Sequence, residues 1–206
     1  MCTTKFRFVE DVSQTDIATR KQSLRARMKA RRADNENRDM KEYLLCDNLF
    51  KLLNVLECEK TGVGTRRTIF VYLSFSSEAP TDKLIECLKE KEFRVLCPRI
   101  EGKEMIAVEY GDDFTLSHMG IREPVGRVYP NSPDYIVLPL LAADMSGNRL
   151  GYGKGYYDQY LCKHPAAKRI GYCFDFQVVQ DVPHDDRDEK LDFIVTDKRV
   201  IETVAR

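Results

Sequence analysis

The sequence carries no surplus charge of either sign: Lys and Arg together number 33, and so do Asp and Glu. That balance excludes a global field able to gather nucleic acid or anionic lipid, so any charge-driven function has to be local. No apolar run approaches the roughly 18 residues that cross a bilayer. The start, MCTTKFRFVEDVSQTD, lacks the apolar stretch of a secretory signal, and acidic residues at 10, 11 and 16 argue against a transit peptide. There is no CxxC pair; the seven cysteines, Cys2 among them, lie ten or more positions apart, and the three histidines are scattered. A disulfide framework and a structural zinc site are therefore not expected, whereas a reducing, cytoplasmic setting is. Cys97 and Cys173, set in apolar runs, read as core residues. Repeats and low-complexity tracts are absent as well.

What is present describes a folded chain. With 206 residues, 43% hydrophobic and 32% charged, a single domain over 1–206 is expected, with N-terminal helices about 13–57 and an α/β core about 66–201. Ser13 to about Ala33 is predicted helical, with Ile17, Leu24 and Met28 on one stripe and seven cations among the thirteen residues from Arg20 to Arg32. A second helix, about Asn35 to Glu57, repeats Leu45, Leu49, Leu52, Leu53 and Leu56 at helical spacing, so the chain opens with an α-hairpin. Glu59 to Arg67 reads as a loop. Strands are predicted at Thr68–Leu73, Arg94–Pro98, Met105–Tyr110, Asp134–Leu140, Arg169–Phe174 and Phe193–Thr196. Helices are predicted from Pro80-Thr81-Asp82, with Pro80 in the first turn, and over Tyr156–Lys163. Strands separated by helices imply a three-layer α/β domain whose mostly parallel sheet is flanked by helices.

The chemically informative stretch is the glycine loop after the clearest strand. In open α/β sheets ligands settle beyond the carboxyl ends of strands, which is where this loop falls. Gly151, Gly153 and Gly155 alternate, allowing close backbone approach and positive φ. Their amides, with the N-terminus of the next helix, suit phosphate oxygens. Arg149 and Lys154 add fixed positive charge, and Asp158 is a carboxylate of the kind Mg²⁺ takes beside phosphates. Neither familiar phosphate motif is present: G-x-G-x-G is not the dinucleotide fingerprint, and Asn148 and Gly155 stand where a P-loop needs Gly and Ser or Thr. On the glycines alone a tight structural turn fits equally well; the flanking charges favour a ligand.

The string RLGYGKGYYD, Arg149 to Asp158, resembles the signature of the 5-formyltetrahydrofolate cyclo-ligase (5,10-methenyltetrahydrofolate synthetase) family. Further pieces fall in the family's order: Lys21-Gln-Ser-Leu-Arg25, Leu73-Ser-Phe-Ser-Ser-Glu78, Pro98-Arg99, Gly120-Ile-Arg-Glu-Pro124, Gln177, and Asp188-Glu-Lys-Leu-Asp192 followed by Phe-Ile-Val-Thr196. Met119 stands where some members carry an aromatic, and His184-Asp185-Asp186 replaces the more usual pattern. The resemblance implies that ATP is held by Lys21, Arg25, Arg149, Leu150, Gly151, Tyr152, Gly153, Lys154, Gly155, Tyr156 and Tyr157. It implies that the folate is held by Leu73, Glu78, Tyr152, Gly153, Lys154, Gly155 and Tyr156. Arg149, Lys154 and Tyr156 would act at the reacting groups, and Asp158 and Asp188 would associate with Mg²⁺, with Asp192 open as the alternative to Asp188.

The implied activity is the ATP-driven closure of 5-formyltetrahydrofolate to 5,10-methenyltetrahydrofolate by a monomer whose partners are small molecules, not nucleic acid or membrane. A formamide is a poor electrophile, and phosphorylating its oxygen makes that oxygen a leaving group. Such chemistry needs cations and positioned amides rather than a nucleophilic side chain, which agrees with the absence of a Ser-His-Asp or Cys-His set. Two alternatives differ in class. A non-catalytic cyclo-ligase-like protein with a binding role would not need Lys21, Arg25, Arg149, Lys154 and Asp158 intact. A sugar-phosphate isomerase would need a base at a sugar carbon and no ATP.

Overall fold

The computed structural model describes residues 5–58, 67–117 and 120–204, with side chains from residue 16 onward. Cys2, the predicted loop at 59–66 and Met119 lie outside the described residues. Two helices, α1 (Lys5–Ala33) and α2 (Arg38–Cys58), come first. The strand β1 (Thr68–Val71), helix α3 (Asp82–Glu90) and strands β2 (Arg94–Glu101) and β3 (Glu104–Glu109) follow. Next are β4 (Phe114–Leu116), β5 (Arg122–Pro124), β6 (Tyr135–Leu138), β7 (Ala142–Ala143) and β8 (Arg149–Leu150). Helix α4 (Tyr156–Lys163), strand β9 (Lys168–Tyr172), a 3-10 turn (Asp175–Gln177), β10 (Phe193–Val195) and β11 (Val200–Glu202) complete the order.

Seven strands form one sheet in the order β11-β10-β9-β6-β1-β2-β3. The neighbours from β10 through β2 are parallel, and the two edge strands run antiparallel. Side chains alternate across it as a period of two requires. Ile69, Val71, Val95, Cys97, Tyr135, Val137, Ile170 and Tyr172 join the leucines of α2 and α3 in one cluster. Phe70, Leu96, Ile136, Leu138 and Ile194 point the other way, to Tyr160 and Leu161 of α4. Every residue of β1 and β6 is therefore buried, which is why both read as unbroken apolar runs. Each fully buried Leu or Ile in these clusters contributes about 1.5–3 kcal/mol.

Helix α1 buries Leu24 and Met28 against Leu141, Ala142, Leu150 and Val182 rather than against the main sheet. It is longer than the sequence pattern predicts, beginning at Lys5. Pro80 precedes the first turn of α3 instead of occupying it, with Thr81 at the N-cap. The Thr81 hydroxyl donates to the Tyr72 carbonyl and accepts from the Ser74 amide, tying the helix start to the end of β1. Cys97 and Cys173 are buried, and burial pushes both thiols up. Among the described residues no helix is long and apolar enough to cross a membrane.

Candidate active site

Because β1, β6 and β9 are parallel, the segments leaving their carboxyl ends lie along one edge of the sheet. After β1 comes the turn from Leu73, which is buried, to Glu78. The turn is heavily fastened. Tyr72 donates its hydroxyl to the Ala79 carbonyl at 2.6 Å, and Ser76 sits at φ 57°. Arg38 of α2 donates to the carbonyls of Ser77 and Glu78 at 3.2 and 2.7 Å. Inside it Glu78 is 8% exposed, with Oε2 accepting the Phe75 amide at 2.9 Å. Burial pushes its carboxyl up, opposed by hydrogen bonds from the Phe75 amide and the Tyr152 hydroxyl and by the nearby Arg32 charge. A carboxylate so placed accepts hydrogen bonds in a dry setting, where each one counts for more than in water.

The chain leaving β6 runs through the β7–β8 ladder, in which Ala142 pairs with Leu150 and Ala143 with Arg149. Asp144 holds this hairpin shut: Oδ1 accepts the amides of Ser146 and Asn148, and Oδ2 accepts the Asn148 side chain and the Val182 amide. Gln177 bridges the Leu140 and Leu141 carbonyls below it at 2.9 and 3.1 Å. From that rigid base the glycine loop projects. Gly153 has φ 93° and Gly155, at the N-cap of α4, has φ 72°. The Gly151 carbonyl accepts Arg25 Nε at 2.9 Å, and a Cβ on Gly153 would lie 3.2 Å from Arg25 Nη2. Between the two positive-φ glycines, Lys154 is exposed and has no hydrogen-bond or ion-pair partner among the described residues.

The other cations are matched. Arg149, 6% exposed, pairs through Nη2 with Asp158 Oδ1 at 2.6 Å, while its buried Nε has no partner among the described residues. Its guanidinium also lies 5.8 Å from the Tyr157 ring centroid. Lys21 Nζ reaches Asp188 Oδ2 at 2.5 Å and Asp185 Oδ2 at 3.0 Å. Hydrogen bonds from Arg187 and then Lys21 hold the Asp185 carboxyl well below the usual carboxylate range. Asp192 belongs elsewhere, accepting the Arg169 amide at 2.8 Å near the start of β9. No group of three or more His, Cys, Asp or Glu among the described residues could by itself hold a metal ion.

Residues 17–197 match the model of the 5-formyltetrahydrofolate cyclo-ligase family. The chain belongs to that family. It is 34% identical over 146 residues to a 5-formyltetrahydrofolate cyclo-ligase of Escherichia coli, covering 66% of this chain and 80% of the relative. The cyclo-ligase of Mus musculus is 27% identical over 198 residues, covering 87% and 94%. Among solved structures, the 5,10-methenyltetrahydrofolate synthetase of Aquifex aeolicus superposes with a TM-score of 0.75 at 27% identity, covering 90% of this chain and 94% of that one. The Mycoplasma pneumoniae synthetase gives 0.67 at 25% identity, covering 86% and 98%.

The cyclo-ligase motifs that are dispersed in sequence meet in space. Lys21 and Asp188 are paired, Arg25 touches the loop at Gly151, Arg149 pairs with Asp158, and Tyr152 neighbours Glu78. Leu150 is buried under α1, and Tyr156 and Tyr157 are half-buried at the start of α4, packed against the core clusters. Three contributors go unnoticed in a motif reading: Arg38, Asp185 and above all Arg32, which is 3% exposed and bonded to Tyr152. The signal for Arg32 was present. Leu24, Met28 and Arg32 recur at i, i+4, i+8, so a cation stands on the buried stripe of α1.

Proposed function

We propose that this chain uses ATP to convert 5-formyltetrahydrofolate to 5,10-methenyltetrahydrofolate, acting as a cytoplasmic, single-domain monomer. The observation that carries the reading is a contrast between two side chains of the site. On one side is Lys154, an unpaired cation on a positive-φ glycine loop; on the other is Glu78, a desolvated acceptor. The first suits a polyphosphate and the second suits the amino and ring N–H groups of a pterin. Leu73 and Tyr156 would line the folate slot between them, with the backbone of Tyr152, Gly153, Lys154 and Gly155 shared by both substrates.

In this reading the formyl oxygen attacks the γ-phosphorus of ATP and the bond to the ADP oxygen breaks. The secondary amine nitrogen N10 then attacks the activated formyl carbon, phosphate departs with its oxygen, and N10 releases its proton to leave the methenyl cation. Lys154 and Arg149 would meet the charge that builds on the moving phosphoryl group, and Lys21 and Arg25 would anchor the nucleotide. The amides of the loop from Gly151 to Tyr157 would cradle phosphate.

Mg²⁺ fits this site as a shared ligand rather than a caged one. Asp158 Oδ1 is taken by Arg149 and Asp188 Oδ2 by Lys21, so each carboxylate keeps one oxygen to offer beside phosphate oxygens and water. Its position near Lys21 favours Asp188 over Asp192 for that role. A bound Mg²⁺ would neutralise phosphate charge.

The test mixes the protein, Mg-ATP and 5-formyltetrahydrofolate, following the methenyl absorbance together with phosphate release. One phosphate per methenyl group, with neither signal when any component is omitted, is the expected result. Phosphate release indifferent to the folate, or no methenyl band, sinks the proposal.

A further inference from the structure

We propose that Arg32 is a positioning residue for the folate: acting through the Tyr152 hydroxyl, it holds the Glu78 carboxylate in place as the substrate's hydrogen-bond acceptor. The inference deepens the function proposed above and rests on Glu78 being the folate acceptor.

Arg32 occupies a place where an apolar residue would be expected to cost less. It continues the Leu24–Met28 stripe, is 3% exposed, and has no ion-pair partner among the described residues. A buried guanidinium is expensive unless its donors are met. Here they are met by three separate segments of the site. Nε donates to Ser77 Oγ at 3.1 Å in the turn beside Glu78, and Nη1 to the Leu140 carbonyl at 3.4 Å beyond β6. Nη2 donates to the Tyr152 hydroxyl at 2.5 Å in the glycine loop. A planar fork aimed in three directions is a task for Arg and not for Lys.

The Tyr152 hydroxyl is used twice. It accepts from Arg32 and has the Glu78 carboxylate as its other polar neighbour. With its polar end committed, the ring itself stays substantially exposed at the site. The Glu78 carboxylate is faced by the Phe75 amide, the Tyr152 hydroxyl and the Arg32 charge, all three of which oppose the effect of burial. Tyr72 and Tyr157 also border it, and both phenols are pushed far up by burial and by Glu78. Arg38 meets Glu78 only at its backbone carbonyl. The relay Arg32–Tyr152–Glu78 thus links α1, the glycine loop and the turn after β1, which are the elements contributed to both substrates.

The experiment measures calorimetric binding of 5-formyltetrahydrofolate, without nucleotide, across pH for Tyr152→Phe, Arg32→Gln, their double variant and Glu78→Gln. Tyr152→Phe and Arg32→Gln should each weaken folate binding about tenfold, the usual scale for a hydrogen bond to a charged group. The double variant should be no worse than the weaker single one, since both break one chain. Removing either group also removes an influence that keeps Glu78 ionised. The acid limb of folate binding should therefore move to higher pH in each variant, a shift that loss of packing alone would not produce. Arg32→Lys should recover part of the pH shift, through its charge, without recovering full affinity.

Additive losses in the double variant, or an acid limb unmoved in Tyr152→Phe, overturn the inference. Should Arg32→Gln fail to fold, Tyr152→Phe decides alone, because it deletes one oxygen from a partly exposed ring. The two layers of the argument fail differently. Unchanged folate binding in Glu78→Gln removes the acceptor role itself. Weakened binding in Glu78→Gln beside unchanged binding in Tyr152→Phe removes only the relay.

Discussion

The turn after β1 and the loop after β8 lie at the same edge of the sheet and are built on opposite principles. In the turn, polar groups are spent on one another: Tyr72 on Ala79, Thr81 on Tyr72 and Ser74, Glu78 on Phe75. The carboxylate there is dry and fixed. In the loop, Gly153 and Gly155 hold positive φ, and the cation between them is exposed and unpaired. A dry, prepaid acceptor discriminates among neutral heterocycles, because an analogue that cannot donate leaves it unsatisfied. A wet, open cation with nearby amides suits a highly charged ligand that carries its own counterions. The difference predicts that the two regions respond to substitution in different kinetic quantities.

The largest effect is expected at Lys154. Lys154→Met keeps most of the stem and removes the charge. If the charge is felt mainly as the phosphoryl group moves, kcat should fall roughly a hundredfold to a thousandfold with little change in KM for ATP. A rise in KM with unchanged kcat would make Lys154 a simple binding cation and blur the contrast with the turn.

Glu78→Gln should act through the other substrate. Replacing an acceptor-only carboxylate by an amide costs one charged hydrogen bond or more, about 1.5–3 kcal/mol. The expected outcome is a roughly tenfold to hundredfold rise in KM for the folate, with KM for ATP within about twofold. Equal effects on both substrates would mean that the two regions form one undivided site.

Gly153→Ala probes the backbone of the loop. At φ 93° a Cβ is strained, at about 1–3 kcal/mol, and it would meet Arg25 Nη2 at 3.2 Å. Melting temperature and ATP binding should both fall, while folate binding measured without nucleotide should hold. A variant as stable as the parent would show that the loop relaxes freely and stores no geometry.

The outlines of this arrangement are legible in the sequence where side-chain patterns are long. The β1 and β6 runs are continuous because both faces are covered, and α4 falls at Tyr156–Lys163 as its pattern predicts. The strands β4, β5, β7, β8 and β11, each of two or three residues, are too short to show a period and go unseen. The seven cations from Arg20 to Arg32 of α1 illustrate the other limit. Composition treats them alike, yet Arg27, Lys29 and Arg31 face solvent, Lys21 and Arg25 are half-buried, and Arg32 is enclosed. Helical spacing could have sorted Arg32 from the rest. That Lys21 meets Asp185 as well as Asp188 could not have been read, because those acids lie more than 160 positions away.

The smallest effect is expected at that Lys21 contact, and its sign follows from Asp185. Arg187 and Lys21 hold the Asp185 carboxyl well below the usual carboxylate range. A depressed carboxyl contributes stability that is present above its unfolded value, about 3.9, and lost as pH falls through the folded value. Lys21→Ala removes one of the two supports, so its melting temperature should fall below the parent's at neutral pH and approach it in acid, below about pH 4. Arg187 is 84% exposed on its side chain and Lys21 only 12%, so water screens the first contact more than the second. Lys21→Ala should therefore cost more than Arg187→Ala, by differential scanning calorimetry about 1–3 °C, as suits a contact worth roughly 0.2–1 kcal/mol. A deficit that stayed constant from pH 7 to pH 3 would assign Lys21 a packing role. The two carboxylates would then hold the loop at 183–190 without help from the Lys21 charge.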